Sequence, residues 1–276
     1  IFRLGTSQMN ISGKIFIVTG ASSGIGEVLS KKLAKKGAQV ICASRNLEKL
    51  NRVVDEIEIQ GGTAISIQTD ITHIDQCQLL VEKTISRFGK LDALVLNAGI
   101  SMWTPFESLN DIGFFRQLME TNYMGAVHCC HAALSHLKSS NGLIVNCSTG
   151  QALMGFPNHS GYAASKHALR GFLASLDIEM RGEIKFLDVI MGWIRGTGLR
   201  ENAFGSNGEK LGKSKRDHTS DSITIDDCTD SIISGIERNK KVIYIPKKLR
   251  LIPFLNVFFK RFLNWKVSKA VDDRQD

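Results

Sequence analysis

The sequence predicts a doubly wound α/β fold: a parallel sheet of about seven strands with helices on both faces, followed by a C-terminal amphipathic helical arm. Three observations carry this expectation. Short Val- and Ile-rich runs alternate with helix-patterned stretches through most of the 276 residues. The first of these runs, Ile15-Phe16-Ile17-Val18-Thr19-Gly20, passes directly into a glycine-bearing turn and a helix start. The chain from residue 247 onwards changes character, becoming basic and rich in Phe and Leu.

Strands are expected at 14–19, 39–43, 64–69, 93–96, 143–147, 185–190 and 242–245. Runs such as Ala93-Leu94-Val95-Leu96 are apolar at successive positions, as in a sheet buried on both faces. Helices are expected between them at 25–36, 47–59, 74–88, 112–137, 162–180 and 225–237. In the fifth of these, Leu169, Phe172, Leu173 and Leu176 recur at helical spacing. Residues 196–222 break the alternation; they are polar, contain Gly205-Ser206-Asn207-Gly208, and read as a mobile loop. No internal repeat is present. The expected organisation is a single catalytic domain over 9–246 and a basic amphipathic arm over 247–276.

Hydrophobic content of 43% and charged content of 22% are those of an ordinary globular protein. The six cysteines lack metal-ligand spacing, so no metal is expected, and reduced buried thiols suit a cytoplasmic protein. No signal peptide and no apolar run long enough to span a bilayer is apparent. The chain begins at Ile1, and Met9 reads as a start, with residues 1–8 as an extension. The net charge of +8 is local: residues 238–269 hold ten Lys/Arg and no Asp/Glu, the last seven residues carry a net −2, and the remainder is neutral. A protein without general surface basicity is not expected to bind nucleic acid.

Tyr162-Ala163-Ala164-Ser165-Lys166 places a phenol and an ammonium on one helix face, with Ser148 fourteen residues upstream. A cation beside a phenol favours the phenolate, and a tuned phenol can pass a proton to a carbonyl becoming an alcohol. The turn Gly20-Ala21-Ser22-Ser23-Gly24-Ile25-Gly26 lets backbone approach a pyrophosphate and offers it helix N–H donors. An NAD site expects a carboxylate at the end of the second strand. This strand instead ends Ser44-Arg45-Asn46, and a guanidinium there suits a 2′-phosphate, with Ser22 and Ser44 as further donors. NADP is therefore the expected cofactor. Asp70, after the third strand, suits either the adenine amino group or a cap on the Thr72 turn.

Thr19-Gly20-x-x-x-Gly24-x-Gly26, Asp70, Asn97-Ala98-Gly99, Asn122, Ser148 and Tyr162-x-x-x-Lys166 occur in order over residues 11–195. Together they resemble the short-chain dehydrogenase/reductase family, whose fold is Rossmann-type. The resemblance implies NADP(H)-dependent hydride transfer between nicotinamide and a carbonyl or secondary alcohol. It makes Tyr162 the general acid/base, Lys166 the residue that lowers its pKa and holds the nicotinamide ribose, Ser148 the contact to substrate oxygen, and Asn122 the holder of a water linking Lys166 to solvent. It implies cofactor contacts from Gly20, Ser22, Ser23, Gly24, Ile25 and Gly26; from Ser44, Arg45 and Asn46; from Asp70 and Ile71; from Asn97, Ala98 and Gly99; from Tyr162 and Lys166; and from Gly192, Ile194 and Thr197. The chain departs from the family pattern after the sixth strand, where Met191-Gly192 replaces Pro-Gly and Thr197 falls one residue late. Steroid dehydrogenases of the 11β-hydroxysteroid type also lack that proline.

Substrate contacts are expected from Ser148, Met154, Phe156, Tyr162 and Trp193, with Met102 and Trp103 nearby; this apolar set suits a lipid, steroid or long-chain substrate. His159 is expected at the pocket rim. The arm repeats Leu251, Leu255, Phe258, Phe262 and Trp265 at heptad-like spacing beside Lys260, Arg261 and Lys266. It suits either a bilayer interface, making the protein peripheral to a membrane, or packing on protein. The resemblance further implies a homodimer or tetramer. The alternative function is a catalytically idle dinucleotide-binding scaffold or redox sensor.

Overall fold

The computed structural model describes residues 8–212 and 222–272. The expected extension at 1–8 and the acidic tail fall almost wholly outside these. The elements run β1 (Ile15–Thr19), α1 (Gly24–Lys35), β2 (Gln39–Ser44), α2 (Leu47–Ile59), β3 (Thr63–Gln68), α3 (Ile74–Phe88), β4 (Ala93–Leu96), α4 (Phe114–Met119), α5 (Gly125–Ser139), β5 (Leu143–Thr149), α6 (Ser160–Met180), β6 (Lys185–Met191), β7 (Ile194–Arg195), β8 (Ile223–Thr224), α7 (Ile225–Glu237), β9 (Val242–Ile245), α8 (Ile252–Phe258) and α9 (Lys260–Asp272).

Seven strands form one sheet in the order β3-β2-β1-β4-β5-β6-β9. Every pairing in it is parallel. This is the doubly wound, Rossmann-type fold expected from the alternation. Successive residues of β1 feed opposite layers, because side chains alternate along a strand. Phe16 and Val18 pack with Leu29, Leu33, Val145 and Ile232 under α1, α2 and α7. Ile15 and Ile17 pack with Leu80, Leu94, Ala133 and Leu169 under α3, α5 and α6. The strand order reverses between β1 and β4, and the crevice at the carboxyl ends there is where such sheets bind ligands.

Three departures from the sequence expectation bear on the site. The helix expected over 112–137 runs unbroken from Phe114 to Ser139 but carries a π-helical turn at Glu120–Met124 between its α4 and α5 segments. The described part of the expected mobile loop, 196–212, is pinned. Phe204 stacks on Phe114 with ring centroids 5.1 Å apart, and its carbonyl accepts from Trp103 N at 3.0 Å. The arm is broken at Phe259 into α8 and α9, and its buried residues are Ile252, Leu263, Val267 and Val271 rather than the heptad stripe. Ile252, Leu263 and Val267 form a small core with Leu153 and Ile190, so the arm is packed against the carboxyl end of β6.

Candidate active site

The crevice is a cleft of about 1740 Å³ running from the glycine turn to α6 and the arm. That exceeds the usual size for a single small ligand, and suits a cofactor and a substrate side by side. At its floor, Gly20 adopts φ +67, and a side chain there would strike the Ala98 backbone and the Asn97 amide, each 2.9 Å away. Asn97 Nδ2 donates to Thr19 O at 3.0 Å and Gly20 O at 3.2 Å. The Thr19 hydroxyl accepts from Asn97 N and Ala98 N at 3.0 and 3.1 Å. The Asn97-Ala98-Gly99 segment thus clamps the glycine turn to the end of β1. Thr19 carries half of that clamp, a role sequence reasoning did not assign.

At the other rim, Ser22, Ser44, Arg45 and Asn46 line the cleft together with Lys49, a second cation that sequence reasoning missed. The Ser44 hydroxyl is buried and has no partner within the protein. A buried hydroxyl without a partner is costly, and a ligand oxygen there would supply one. Asn46 caps α2, its Oδ1 accepting from Lys49 N at 2.9 Å. Asp70 serves the Thr72 turn, accepting from Thr72 N at 3.0 Å and Thr72 Oγ1 at 2.8 Å. Burial works to raise its carboxyl, but the two Thr72 bonds and Arg45 hold it below the usual range. Ile71 lines the cleft while its carbonyl accepts from His128 Nδ1 at 3.0 Å, if that nitrogen carries the proton. Ser23, Gly24, Ile25, Gly192, Ile194 and Thr197 all border the cleft. The displaced Thr197 still reaches the glycine turn, its Cβ 3.9 Å from where a Gly24 side chain would start. Gly26 lies beneath the turn. The glycine cradle, the unpartnered Ser44 hydroxyl and the two cations fit a nicotinamide dinucleotide.

Ser148, Thr149, Tyr162 and Lys166 line the cleft together at the carboxyl end of β5, and the phenol's hydrogen-bond partner there is the Thr149 hydroxyl. Ser148 is 2% exposed, and its hydroxyl has no partner within the protein. Lys166 Nζ donates to Cys147 O at 3.4 Å and lies 3.7 Å from where a Gly99 side chain would start. Asn122 forms a two-point clasp, Oδ1 accepting from Ile100 N at 2.8 Å and Nδ2 donating to Ile100 O at 2.9 Å. The same Nδ2 donates to Ser165 Oγ at 2.9 Å, and that hydroxyl donates to Tyr162 O at 2.8 Å. Asn122 thereby ties the π-helical turn, the β4 loop and α6 into one unit. Ser165, buried at the centre of this network, was not foreseen as a site residue.

Burial lifts the Tyr162 phenol well above its usual range, against the Thr149 hydroxyl, which works to lower it. Lys166 is drawn below its usual range by the same burial, with Cys147 and Asp188 opposing. A net lowering of the phenol by Lys166, expected from their spacing, is therefore not present in the protein alone. Desolvation is the largest influence on each group. The Tyr162 phenol is therefore protonated at neutral pH.

Over this chemistry sits an aromatic enclosure. Trp103 meets His159 edge-on at 4.7 Å and Trp193 at 5.7 Å, Phe156 meets Trp193 at 6.0 Å, and His159 lies 5.9 Å from the Tyr162 ring. The Arg200 guanidinium covers the Trp103 face at 4.7 Å. Met154 joins this wall, and so does Leu249 from the arm. His159, expected at the rim, is 4% exposed. Trp103, His159 and Leu249 are brought in from segments with no shared sequence pattern, and only the fold unites them.

Residues 14–207 match the family model described as short chain dehydrogenase. The chain belongs to the short-chain dehydrogenase family. It is 31% identical over 261 residues to 11-beta-hydroxysteroid dehydrogenase 1A of Arabidopsis thaliana, covering 93% of this chain and 75% of that protein. It is 33% identical over 261 residues to 11-beta-hydroxysteroid dehydrogenase A of Arachis hypogaea, with the same coverage of each. Among solved structures, it is similar to a short-chain dehydrogenase/reductase of Burkholderia phymatum in complex with NAD, with a TM-score of 0.76 at 22% identity over 88% of this chain and 94% of that one. An alcohol dehydrogenase of Thermococcus sibiricus complexed with 5-hydroxy-NADP gives a TM-score of 0.71 at 22% identity over 84% and 95%. These two likenesses concern the fold. As a short-chain dehydrogenase, the protein is an oxidoreductase. Among the described residues no cluster of His, Cys, Asp and Glu suits a metal, and no helix is long and apolar enough to cross a membrane.

Proposed function

We propose that this short-chain dehydrogenase uses NADP(H) to interconvert a carbonyl and a secondary alcohol on an apolar substrate of lipid, steroid or long-chain type. The observation that carries the reading is that a buried Tyr162 phenol, the unpartnered Ser148 hydroxyl and Lys166 line one cleft. When bound, the cofactor supplies the hydride to the carbonyl carbon in reduction and accepts it in oxidation. Ser148 donates a hydrogen bond to the substrate oxygen and holds it toward Tyr162. Tyr162 delivers the proton that turns this oxygen into a hydroxyl, and in oxidation takes it back. The Lys166 ammonium stabilises the phenolate left behind, so the proton moves without a free anion in a dry site. Asn122 keeps α6 in register with the β4 loop. The Trp103–His159–Trp193–Phe156 enclosure excludes water and favours a rigid apolar body.

Arg45 and Lys49 support NADP over NAD, since both line the cleft beside the unpartnered Ser44 hydroxyl. Fluorescence titrations with both reduced cofactors test this: NADPH is expected to bind about tenfold or more tighter than NADH, and Arg45→Ala to remove most of the difference. Tighter NADH binding in the wild type overturns it. The relatives named 11-beta-hydroxysteroid dehydrogenase and the aromatic enclosure favour a steroid-like substrate; a panel of apolar ketones read by NADPH oxidation identifies it.

The same reading extends to the arm. Leu251, Phe254, Val257, Phe258, Phe259, Phe262 and Trp265 are all exposed. Residues 247–269 carry seven Lys/Arg and no Asp/Glu. An apolar face edged only by cations suits an anionic lipid surface, with Leu249 placing the substrate cleft at its border. The protein acts as a peripheral membrane enzyme with a catalytic unit at 9–246, and a homo-oligomer is built on α5 and α6.

A further inference from the structure

Below Ser148 the central strand is polar, and nothing in the hydride-transfer chemistry calls for that. Asn146 lies two residues before Ser148, on the same face of β5, which points toward α6. Its partner across the ladder is Asp188 of β6. Asn146 Nδ2 donates to Asp188 Oδ1 at 2.9 Å, and Arg170 Nε donates to Asp188 Oδ2 at 3.3 Å. Arg170 follows Lys166 by four residues and Tyr162 by eight, so all three lie along one side of α6.

A carboxylate with a side chain only 20% exposed, placed inside a parallel sheet, is unfavourable unless it is paired. Asp188 has partners on two sides, and both flank Lys166: Asn146 precedes Cys147, whose carbonyl accepts from Lys166 Nζ at 3.4 Å, and Arg170 lies one helical turn along α6 from Lys166. Burial raises its carboxyl above the usual range, while Arg170, Asn146 and Lys166 all work to keep it ionised. The other groups near this stretch are engaged elsewhere or lie beyond it. Lys241, just before β9, offers Asp188 only its carbonyl, and its ammonium is 3.5 Å from Asp177. His167 Nδ1 is 2.9 Å from Ala163 O, and Lys185 Nζ reaches Asn239 at 3.5 Å. Tyr244 stands opposite Ile190, beyond Asp188 on the same sheet face. Cys147 packs into the opposite layer; it also acts to hold Lys166 charged, but burial pushes its own thiol up to about 12, which leaves Asp188 as the anion at neutral pH.

We propose that Asp188 is a positioning residue for the Tyr162–Lys166 pair: held between Asn146 and Arg170, its carboxylate supplies the countercharge that keeps the Lys166 ammonium protonated inside a dry cleft. The role rests on the reading of Tyr162 and Lys166 as the proton-transfer pair. Its sign follows from the charge alone, because removing a nearby anion makes proton loss from Lys166 easier. Arg170 partly masks Asp188, so removing Arg170 works in the opposite direction.

Full-length protein labelled with ε-13C lysine tests this by NMR, with the Lys166 signal assigned by its loss in Lys166→Arg. The Lys166 midpoint is expected to fall by roughly half to one pH unit in Asp188→Asn and to rise in Arg170→Gln. The alkaline limb of carbonyl reduction should move the same way in each. An unmoved midpoint in a folded Asp188→Asn protein, or movement in the same direction in both variants, overturns the assignment. If Asp188→Asn does not fold, Arg170→Gln decides alone: a rise supports the role and no movement refutes it. Because the NMR readout needs no turnover, a protein inactive on every ketone would sink the proposed function without touching this result.

Discussion

Burial fixes the chemistry of His159. Its Nδ1 lies 3.2 Å from Pro157 O, a contact that requires the proton on that nitrogen. Burial pushes its imidazolium down to about 4, with the Pro157 carbonyl opposing and Arg200 adding to the fall. The residue is therefore neutral at neutral pH and serves as a wall of the enclosure rather than as a base. In the unfolded chain the same group titrates near ~6.5. Between the two values the unfolded state binds the extra proton, so folding stability falls as pH drops through this window and the loss is complete below about 4. The loss amounts to about 3 kcal/mol, at about 1.4 kcal/mol per pH unit. Urea midpoints at about pH 7 and about pH 5 check it: His159→Gln should lose much of the acid-side decline. An equal decline in both proteins would place the acid sensitivity elsewhere. At this scale the meeting of Tyr162, Lys166 and Ser148 in one cleft was legible because it follows from residue type and spacing. Lys49, Ser165 and Leu249 were not, because a lysine after a cap, a serine in a helix and a leucine in a basic arm have no distinguishing pattern until the fold places them.

Among the elements, the strand–turn–helix at the N-terminal end is the least tolerant. A side chain on Gly26 would lie 2.5 Å from Asn97 Nδ2 and closer still to Gly20 O, and both are fixed by the Thr19–Asn97 clamp. Gly26→Ala is expected to weaken NADPH binding about tenfold or more and to lower the melting temperature by several degrees. Gly171 in α6 is the control. A methyl there meets nothing within 4 Å, so Gly171→Ala should leave binding intact and raise stability by up to about 1 kcal/mol. Unchanged cofactor affinity in Gly26→Ala would argue against the turn as the pyrophosphate cradle. The ends of α2, α3 and α7 follow the sequence expectation residue for residue, since strong helical periodicity is interrupted there by polar or glycine-rich turns. The π-helical turn between α4 and α5 did not show, because the apolar period runs through it unbroken. It accompanies the clasp of Asn122 on Ile100, a contact across twenty-two residues. The arm misled for a related reason: it has two apolar faces, and the more regular one is not the one the domain covers.

For the whole molecule, one crevice at the sheet's reversal point gathers the glycine turn, Asp70, Asn97-Ala98-Gly99, Ser148, Tyr162 and Lys166, and Leu249 of the arm borders it. Asn256 Nδ2 donates to Leu153 O at 3.1 Å, and Ile252 and Leu263 are buried beside Leu153, so the arm is fastened at its inner face while its outer face remains apolar and cationic. Flotation with vesicles containing anionic lipid should recover the wild-type protein. Phe254→Ser combined with Phe258→Ser and Phe262→Ser should release most of it, and added salt should weaken the remainder. Equal partition of wild type and triple variant would remove the membrane reading and leave the fold untouched. The central claim is that Tyr162 is the proton donor of a carbonyl-reducing site, and Tyr162→Phe tests it most directly. On an apolar ketone that the wild type reduces, the variant is expected to lose about 10²–10⁴-fold in kcat while binding NADPH as before. A Tyr162→Phe protein that binds NADPH and turns over at the wild-type rate would contradict it.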